Sequence, residues 1–326
     1  MSDKSDRSDG PVAWQWVGRS AKLMTDQGII SRIIELKKSL NAIILVHNYQ
    51  IGEVQEIADF LGDSLGLSRK AAGTDAEVIV FCGVHFMAET AAILAPEKTV
   101  LIPDPDAGCP MADMITAEEL RAVKVEHPGA VVVAYVNSTA EVKAETDICC
   151  TSANAAAVVE SIPRDREIIF VPDQYLGSFV MRMTGRELIL YPGYCPVHRK
   201  LLPEMIAEQK IIHPRALVMV HPECTPGVID LADEVLSTSG MERIAARSKH
   251  QEFIVGTEVD MTTRLRRDNP GKQFYPASDL VVCSDMKKIT LKKVLRSLEE
   301  KKYEVTVPAE IREKALRAVN AMVGIG

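Results

Sequence analysis

Three cysteines, three hydroxyl side chains and a set of histidines, tyrosines and carboxylates recur along this chain in a common phase. Aligned on His47, Tyr135 and His221, the sequence repeats itself at intervals of 88 and 86 residues. Two residues beyond the anchors stand Tyr49, Asn137 and Glu223, and 17 beyond them stand Ser64, Ser152 and Thr238. His85, Asp173 and Glu258 follow at 37 or 38 residues, and Cys109, Cys195 and Cys283 at 60 to 62. Self-similarity at a fixed period marks duplicated structural units. Duplication accounts for the equal spacing; a thiol and a hydroxyl each kept three times point to a shared task.

Each class of residue suggests its own chemistry. Three thiolates from distant parts of one chain suit a soft metal. They would serve either an iron–sulfur cubane with one iron left without a protein ligand or a zinc ion with an open position. Spacing leaves both open, since the chain has no Cys-x-x-Cys pair. Cys82, Cys149, Cys150 and Cys224 fall out of phase and read as small buried hydrophobes. Ser64, Ser152 and Thr238 stand at the starts of helical patterns, where a hydroxyl caps the helix or helps free N–H groups bind an anion. His47 and His221 end apolar runs in the same phase and are acid–base candidates. Glu223 is the candidate general base, and Tyr49 and Tyr135 are donors to a carbonyl or developing alkoxide. His127, His198, His213 and His250 read as surface or loop residues, and Lys287 and Lys288 as solvated helix charges.

The elements that must position these side chains follow from the same repeat. Short β-branched runs alternate with helical patterns, the mark of βαβ units and parallel sheets covered on both faces. Strands are expected at 42–46, 77–81, 99–102, 131–136, 167–171, 187–190, 216–220 and 253–255, with helices at 53–61 and 88–94. A last strand at 303–308 and a helix over 309–322 should return to the first domain. The predicted fold is α/β: three αβα-sandwich domains around a central site on an approximate threefold axis. Their expected bounds are 21–105 with 287–326, then 106–190, then 191–286, after a flexible tail at 1–20. Trp14 and Trp16 are expected to pin the segment that follows this tail.

Composition bounds the partners. The 326 residues carry a formal charge of −7, which argues against nucleic acid as the main ligand. No apolar run approaches the length of a membrane span, and the Ser/Asp/Lys-rich start lacks a signal peptide's apolar core. A cytoplasmic protein acting on small anions is expected, without a disulfide framework.

The motifs HNYQ (47–50), GDSL (62–65), GCPMADM (108–114), YVNS (135–138) and CTSAN (150–154) resemble those of quinolinate synthases. PDQYLG (172–177), GYCPVH (193–198), HPEC (221–224) and STSGM (237–241) extend the resemblance in the family's order. It implies three αβα domains in pseudo-threefold arrangement and a [4Fe–4S] cluster held by Cys109, Cys195 and Cys283. It further implies condensation of iminoaspartate with dihydroxyacetone phosphate to quinolinate, with loss of phosphate and water, in NAD biosynthesis. On this resemblance His47, Ser64, Ser152, His221 and Thr238 would hold carboxylates or phosphate. Tyr49, Tyr135 and Asn137 would orient intermediates, with Glu223, Tyr49 and His221 as the catalytic group. Functional coupling to an iminoaspartate-producing enzyme is a further expectation. The alternatives are a zinc-dependent lyase or a cluster-containing small-anion sensor on the same scaffold. Cys283 is followed by Ser284, Asp285 and Met286, so redox control by a disulfide there is not expected.

Overall fold

The computed structural model describes residues 25–325, so the expected tail and the role of Trp14 and Trp16 lie outside the described residues. The first unit runs α1 (Asp26–Ser39), β1 (Ala42–His47), α2 (Gly52–Glu56), β2 (Phe60–Gly62), α3 (Ser64–Ala72), β3 (Val78–Cys82), α4 (His85–Leu94) and β4 (Thr99–Leu101). The second runs α5 (Ala117–Glu126), β5 (Val131–Tyr135), α6 (Ala140–Ala144), β6 (Ile148–Cys150), α7 (Ala155–Ser161), β7 (Ile168–Val171), α8 (Gln174–Thr184) and β8 (Ile189–Leu190). The third runs α9 (Pro203–Ile212), β9 (Leu217–Val220), α10 (Pro226–Ile229), β10 (Glu234–Val235), α11 (Thr238–Arg247), β11 (Glu252–Gly256), α12 (Met261–Asp268) and β12 (Gln273–Pro276). Helices α13 (Leu291–Glu300) and α14 (Ala309–Val323) close the chain.

The repeat is a repeat of topology. The sheets are ordered β2-β1-β3-β4, β6-β5-β7-β8 and β10-β9-β11-β12, all parallel. The chain is thus α/β, with three four-stranded parallel sheets flanked by helices. Strands such as Val78–Cys82 and Ile168–Val171 are apolar and buried at every position, because helices cover both faces. One device recurs twelve residues after each anchor. The carboxylates of Asp59, Asp147 and Asp233 accept the N–H groups of Ile44, Val132 and Val218 at 2.7–2.8 Å, tying the loop after the first strand of each sheet back onto that strand.

Two expectations are modified. The helix expected at 53–61 stops at Glu56, and Phe60–Gly62 pairs with β1 as an edge strand. The strand expected at 303–308 reduces to one antiparallel bridge, Glu304 to Leu101 on β4, with Val305 N–H donating to Val100 O at 2.8 Å. Helix α14 lies against α6 and β6 of the second unit as well as α4 and α3 of the first. Asn154 Nδ2 donates to the carbonyls of Met322 and Ile325, holding its end there. The first unit and one face of the second sheet accordingly share one hydrophobic core, while the other face of the second sheet and the two faces of the third pack separate clusters. No helix among the described residues is long and apolar enough to cross a membrane.

Candidate active site

His47, Tyr135 and His221 stand at the carboxyl ends of the first strands of the three sheets, each flanked on both sides by a neighbouring strand. That end of an open parallel sheet is where ligands bind. All three ends face one cavity. It is lined by His47, Tyr49 and Ser64 from the first repeat, Tyr135, Asn137 and Ser152 from the second, and His221, Glu223 and Thr238 from the third. Cys109, Cys195 and Cys283 line it as well. The residues singled out by phase thus converge.

Each cysteine opens a like-built turn. Three residues after it begins a 3-10 turn: Ala112–Met114, His198–Lys200 and Met286–Lys288. The amides of Ala112, His198 and Met286 point at the sulfurs of Cys109, Cys195 and Cys283 and favour the thiolate. Burial outweighs them: it pushes the Cys109 thiol up to about 12 and raises Cys195 and Cys283 too. None of the three is in a disulfide. Gly193 is required two residues before Cys195, since a Cβ there would lie 2.5 Å from Pro172 O. Cys82, Cys149, Cys150 and Cys224 are all fully buried, as expected of small core residues.

The hydroxyls are free of the capping role. Asp63 Oδ1 accepts from Gly66 N at 2.8 Å and Ser237 Oγ from Gly240 N at 3.2 Å, so the residues before Ser64 and Thr238 cap α3 and α11. Ser152 precedes α7 by more than a residue, and its Oγ meets His221 Nε2 at 3.2 Å. Backbone amides set the histidine tautomers: Tyr49 N–H donates to His47 Nδ1 at 3.2 Å and Glu223 N–H to His221 Nδ1 at 3.3 Å. Burial lowers His47 to about 4 and His221 to about 3, so both are neutral and carry their proton on Nε2.

His198 corrects the sequence reading. Far from being a surface residue, it is 1% exposed and stands at the centre of the site. Its Nδ1 lies 2.6 Å from Glu223 Oε2 and 3.2 Å from Cys195 Sγ, and its Nε2 lies 2.8 Å from Thr257 Oγ1. Thr257 Oγ1 in turn meets the Tyr49 hydroxyl at 2.6 Å, and Tyr135 donates to Glu223 Oε1 at 2.5 Å. One hydrogen-bonded chain therefore runs Tyr49–Thr257–His198–Glu223–Tyr135. Periodicity does not mark His198, whose repeat counterparts are Ala112 and Met286; its place three residues after Cys195 is the available signal. Lys287 is corrected as well. It is a half-buried hub between two carboxylates, not a solvated charge. Of the third in-phase set, Asp173 caps α8 and Glu258 is fully buried, while His85 stays at the exposed start of α4.

Burial pushes the Glu223 carboxyl up, but His198 beside it and the bonds from His198 and Tyr135 outweigh this and hold it well below the usual carboxylate range. Burial, reinforced by the Glu223 charge, keeps the Tyr49 and Tyr135 phenols protonated. Buried neutral histidines also set an acid limit on stability. The unfolded chain takes up protons at these residues below about pH 6.5 and the folded chain only near pH 4 and pH 3. Stability should be fully present above pH 6.5 and fall below it, by roughly 1.4 kcal/mol per pH unit for each proton. Urea midpoints between pH 7 and 4.5 should show this fall, and His221→Asn should make it shallower. An unchanged slope in that variant would contradict the assignment.

Comparison with known proteins follows the same line. The family described as Quinolinate synthetase A protein matches residues 31–324. A quinolinate synthase of Dehalococcoides mccartyi is 60% identical over 297 residues, covering 91% of this chain and 98% of its own length. One from Desulforudis audaxviator is 57% identical over the same span, with the same two coverages. Quinolinate synthase 2 of Methanosarcina acetivorans is 54% identical over 303 residues, covering 93% of this chain and 97% of its own. Matched over nine-tenths of its length and through every loop that lines the cavity, the chain belongs to the quinolinate synthase family of enzymes.

Proposed function

We propose that the chain condenses iminoaspartate with dihydroxyacetone phosphate to quinolinate, releasing phosphate and water, in the cytosol and as a step of NAD biosynthesis. The observation that carries this reading is the convergence of three in-phase thiols and three hydroxyls that cap no helix on one cavity. Functional coupling to an enzyme that supplies iminoaspartate belongs to the same proposal.

The donor set fits a [4Fe–4S] cluster held by Cys109, Cys195 and Cys283. Among the described residues, one group of three donors has all its atoms within 4.8 Å of one another: Cys195, His198 and Glu223. The three sulfurs are therefore spread wider than a single zinc would draw them, with Zn–S bonds of about 2.3 Å. Burial raises all three thiols, so thiolates there would need a compensating metal cation. When bound, a cluster with three protein ligands supplies one Lewis-acidic iron. A zinc held instead by Cys195, His198 and Glu223, a chemically apt set, would leave Cys109 and Cys283 without a task.

The chain's own residues bind and move protons. Neutral His47 and His221 offer Nε2–H groups, and Ser64, Ser152 and Thr238 offer hydroxyls, to substrate carboxylates and phosphate. Asn137 Oδ1 is buried with no partner and suits the N–H of an imine or enamine. Glu223, already ionised, is the proton acceptor. Its bond to His198 weakens it as a base, and the His198 ring offers an accepted proton a path through Thr257 to Tyr49.

Capping and binding should separate experimentally. Asp63→Ala should cost about 1 kcal/mol of stability through its lost cap. Ser64→Ala should leave the melting temperature nearly unchanged and raise a substrate KM roughly tenfold, the worth of one hydrogen bond to an anion. The reverse pattern would make Ser64 the cap. The function itself is tested by anaerobic purification, iron and sulfide analysis, and an assay with iminoaspartate generated in situ and dihydroxyacetone phosphate. Quinolinate should form. Zinc without sulfide would favour the lyase, and a loaded cluster without product would favour a sensor of small anions.

A further inference from the structure

Lys287 Nζ lies 2.7 Å from Glu258 Oε1 and 2.7 Å from Asp260 Oδ2, and it donates to the backbone carbonyl of Tyr49 at 2.5 Å. An ammonium has three N–H donors, and here each finds an acceptor. The acceptors come from distant parts of the chain: Tyr49 from the turn after β1, Glu258 and Asp260 from the loop after β11. Glu258, fully buried, uses the same carboxylate to accept the Cys283 N–H at 3.1 Å and the Asp260 N–H at 2.9 Å. Its neighbour Thr257 holds the Tyr49 hydroxyl. Tyr49 is thus gripped at its carbonyl by Lys287 and at its phenol by Thr257. The Cys283 turn is gripped through its amide by Glu258 and through Lys287, whose own N–H returns to Cys283 O at 3.3 Å.

We infer that Lys287, backed by Glu258, is a positioning residue that fixes the third cysteine turn and the Tyr49 turn against one another. Lys287 itself does not line the cavity; it sets where a thiol from one unit stands relative to a phenol from another. Asp113 and Arg199, in phase with Lys287, share its backbone bond to the cysteine carbonyl, at 3.3 and 3.0 Å, but among the described residues neither side chain ties its cysteine turn to the turn of another repeat. This inference rests on the reading of Cys283 as a cluster ligand.

The test compares anaerobically reconstituted full-length wild type with Lys287→Met and Asp260→Asn. Lys293→Met, which removes the partner of Asp104 six residues further on, is the control. Lys287→Met should bind its full iron but lose it to bipyridyl roughly tenfold faster, the usual size of effect when support behind a metal ligand is removed. The paramagnetic resonance lines of its reduced cluster should shift or broaden. Asp260→Asn keeps the Glu258 and Tyr49 contacts and should show a smaller rise, which carries the test if Lys287→Met fails to fold. Lys293→Met should match wild type. Wild-type stripping rates and spectra in Lys287→Met, or in Asp260→Asn alone where only that variant folds, would overturn the positioning role. A wild-type protein that takes up no iron would instead overturn the cluster reading, and this inference with it.

Discussion

Cys195→Ala should emerge from anaerobic purification with iron reduced from about four per chain to near zero, and with quinolinate formation lost alongside it. Three thiolates from three turns are a minimal set for a cluster. Removing one leaves two sulfurs and an alanine that Cys224 cannot replace, since Cys224 is fully buried and its Sγ is directed at Gly256 O. Cys149→Ala is the contrast. Cys149 lies fully buried on β6 in the shared core, and its thiol is pushed up to about 12 by burial alone, with Lys143 opposing. Loss of one sulfur there should cost stability of about 1 kcal/mol and leave iron and turnover near wild type. Iron and sulfide content, with the rate measured on the same samples, decides the matter. Equal losses in both variants would contradict the assignment of ligands by phase.

Glu223→Gln should depress turnover by about 10²–10⁴-fold, the range for a lost acid–base group. The amide keeps the shape of the side chain and one acceptor oxygen, so iron content and substrate KM should change little. What it removes is the negative charge facing His198 and the capacity to accept a proton. It also places an NH2 group where Glu223 now accepts from either Tyr135 or His198, so one of those bonds is lost. Steady-state kinetics with iron analysis separates the outcomes. Wild-type turnover would place the base elsewhere, whereas loss of iron would make Glu223 part of the metal centre in the manner of the zinc reading.

The legible and illegible parts of this site differ for identifiable reasons. His47, Ser64 and Cys109 with their counterparts were legible because each is repeated at a fixed interval, which survives in a linear string. His198 and Thr257 belong to a single repeat, so no periodicity marks them, and their importance rests on which side chains happen to face them. Lys287 followed by Lys288 resembles any charged helix start; only the fold brings the Tyr49 carbonyl and two carboxylates around its ammonium. Edge strands β2, β6 and β10 span two or three residues each, too short for any alternation to be read. The apolar runs of β1, β5 and β9 stood out because parallel strands buried on both faces carry no polar interruption.

By itself the sequence determined the threefold repeat, the parallel α/β class and the three phased cysteines, because these depend on local periodicity and on the apolar runs that flank each loop. Tertiary structure alone decided which helix starts were already capped and which hydroxyls face the cavity without capping a helix. It also decided which histidine pairs with Glu223 and how one lysine is shared among three oxygens. These depend on contacts between residues up to 238 positions apart, whose distances the chain's order does not encode.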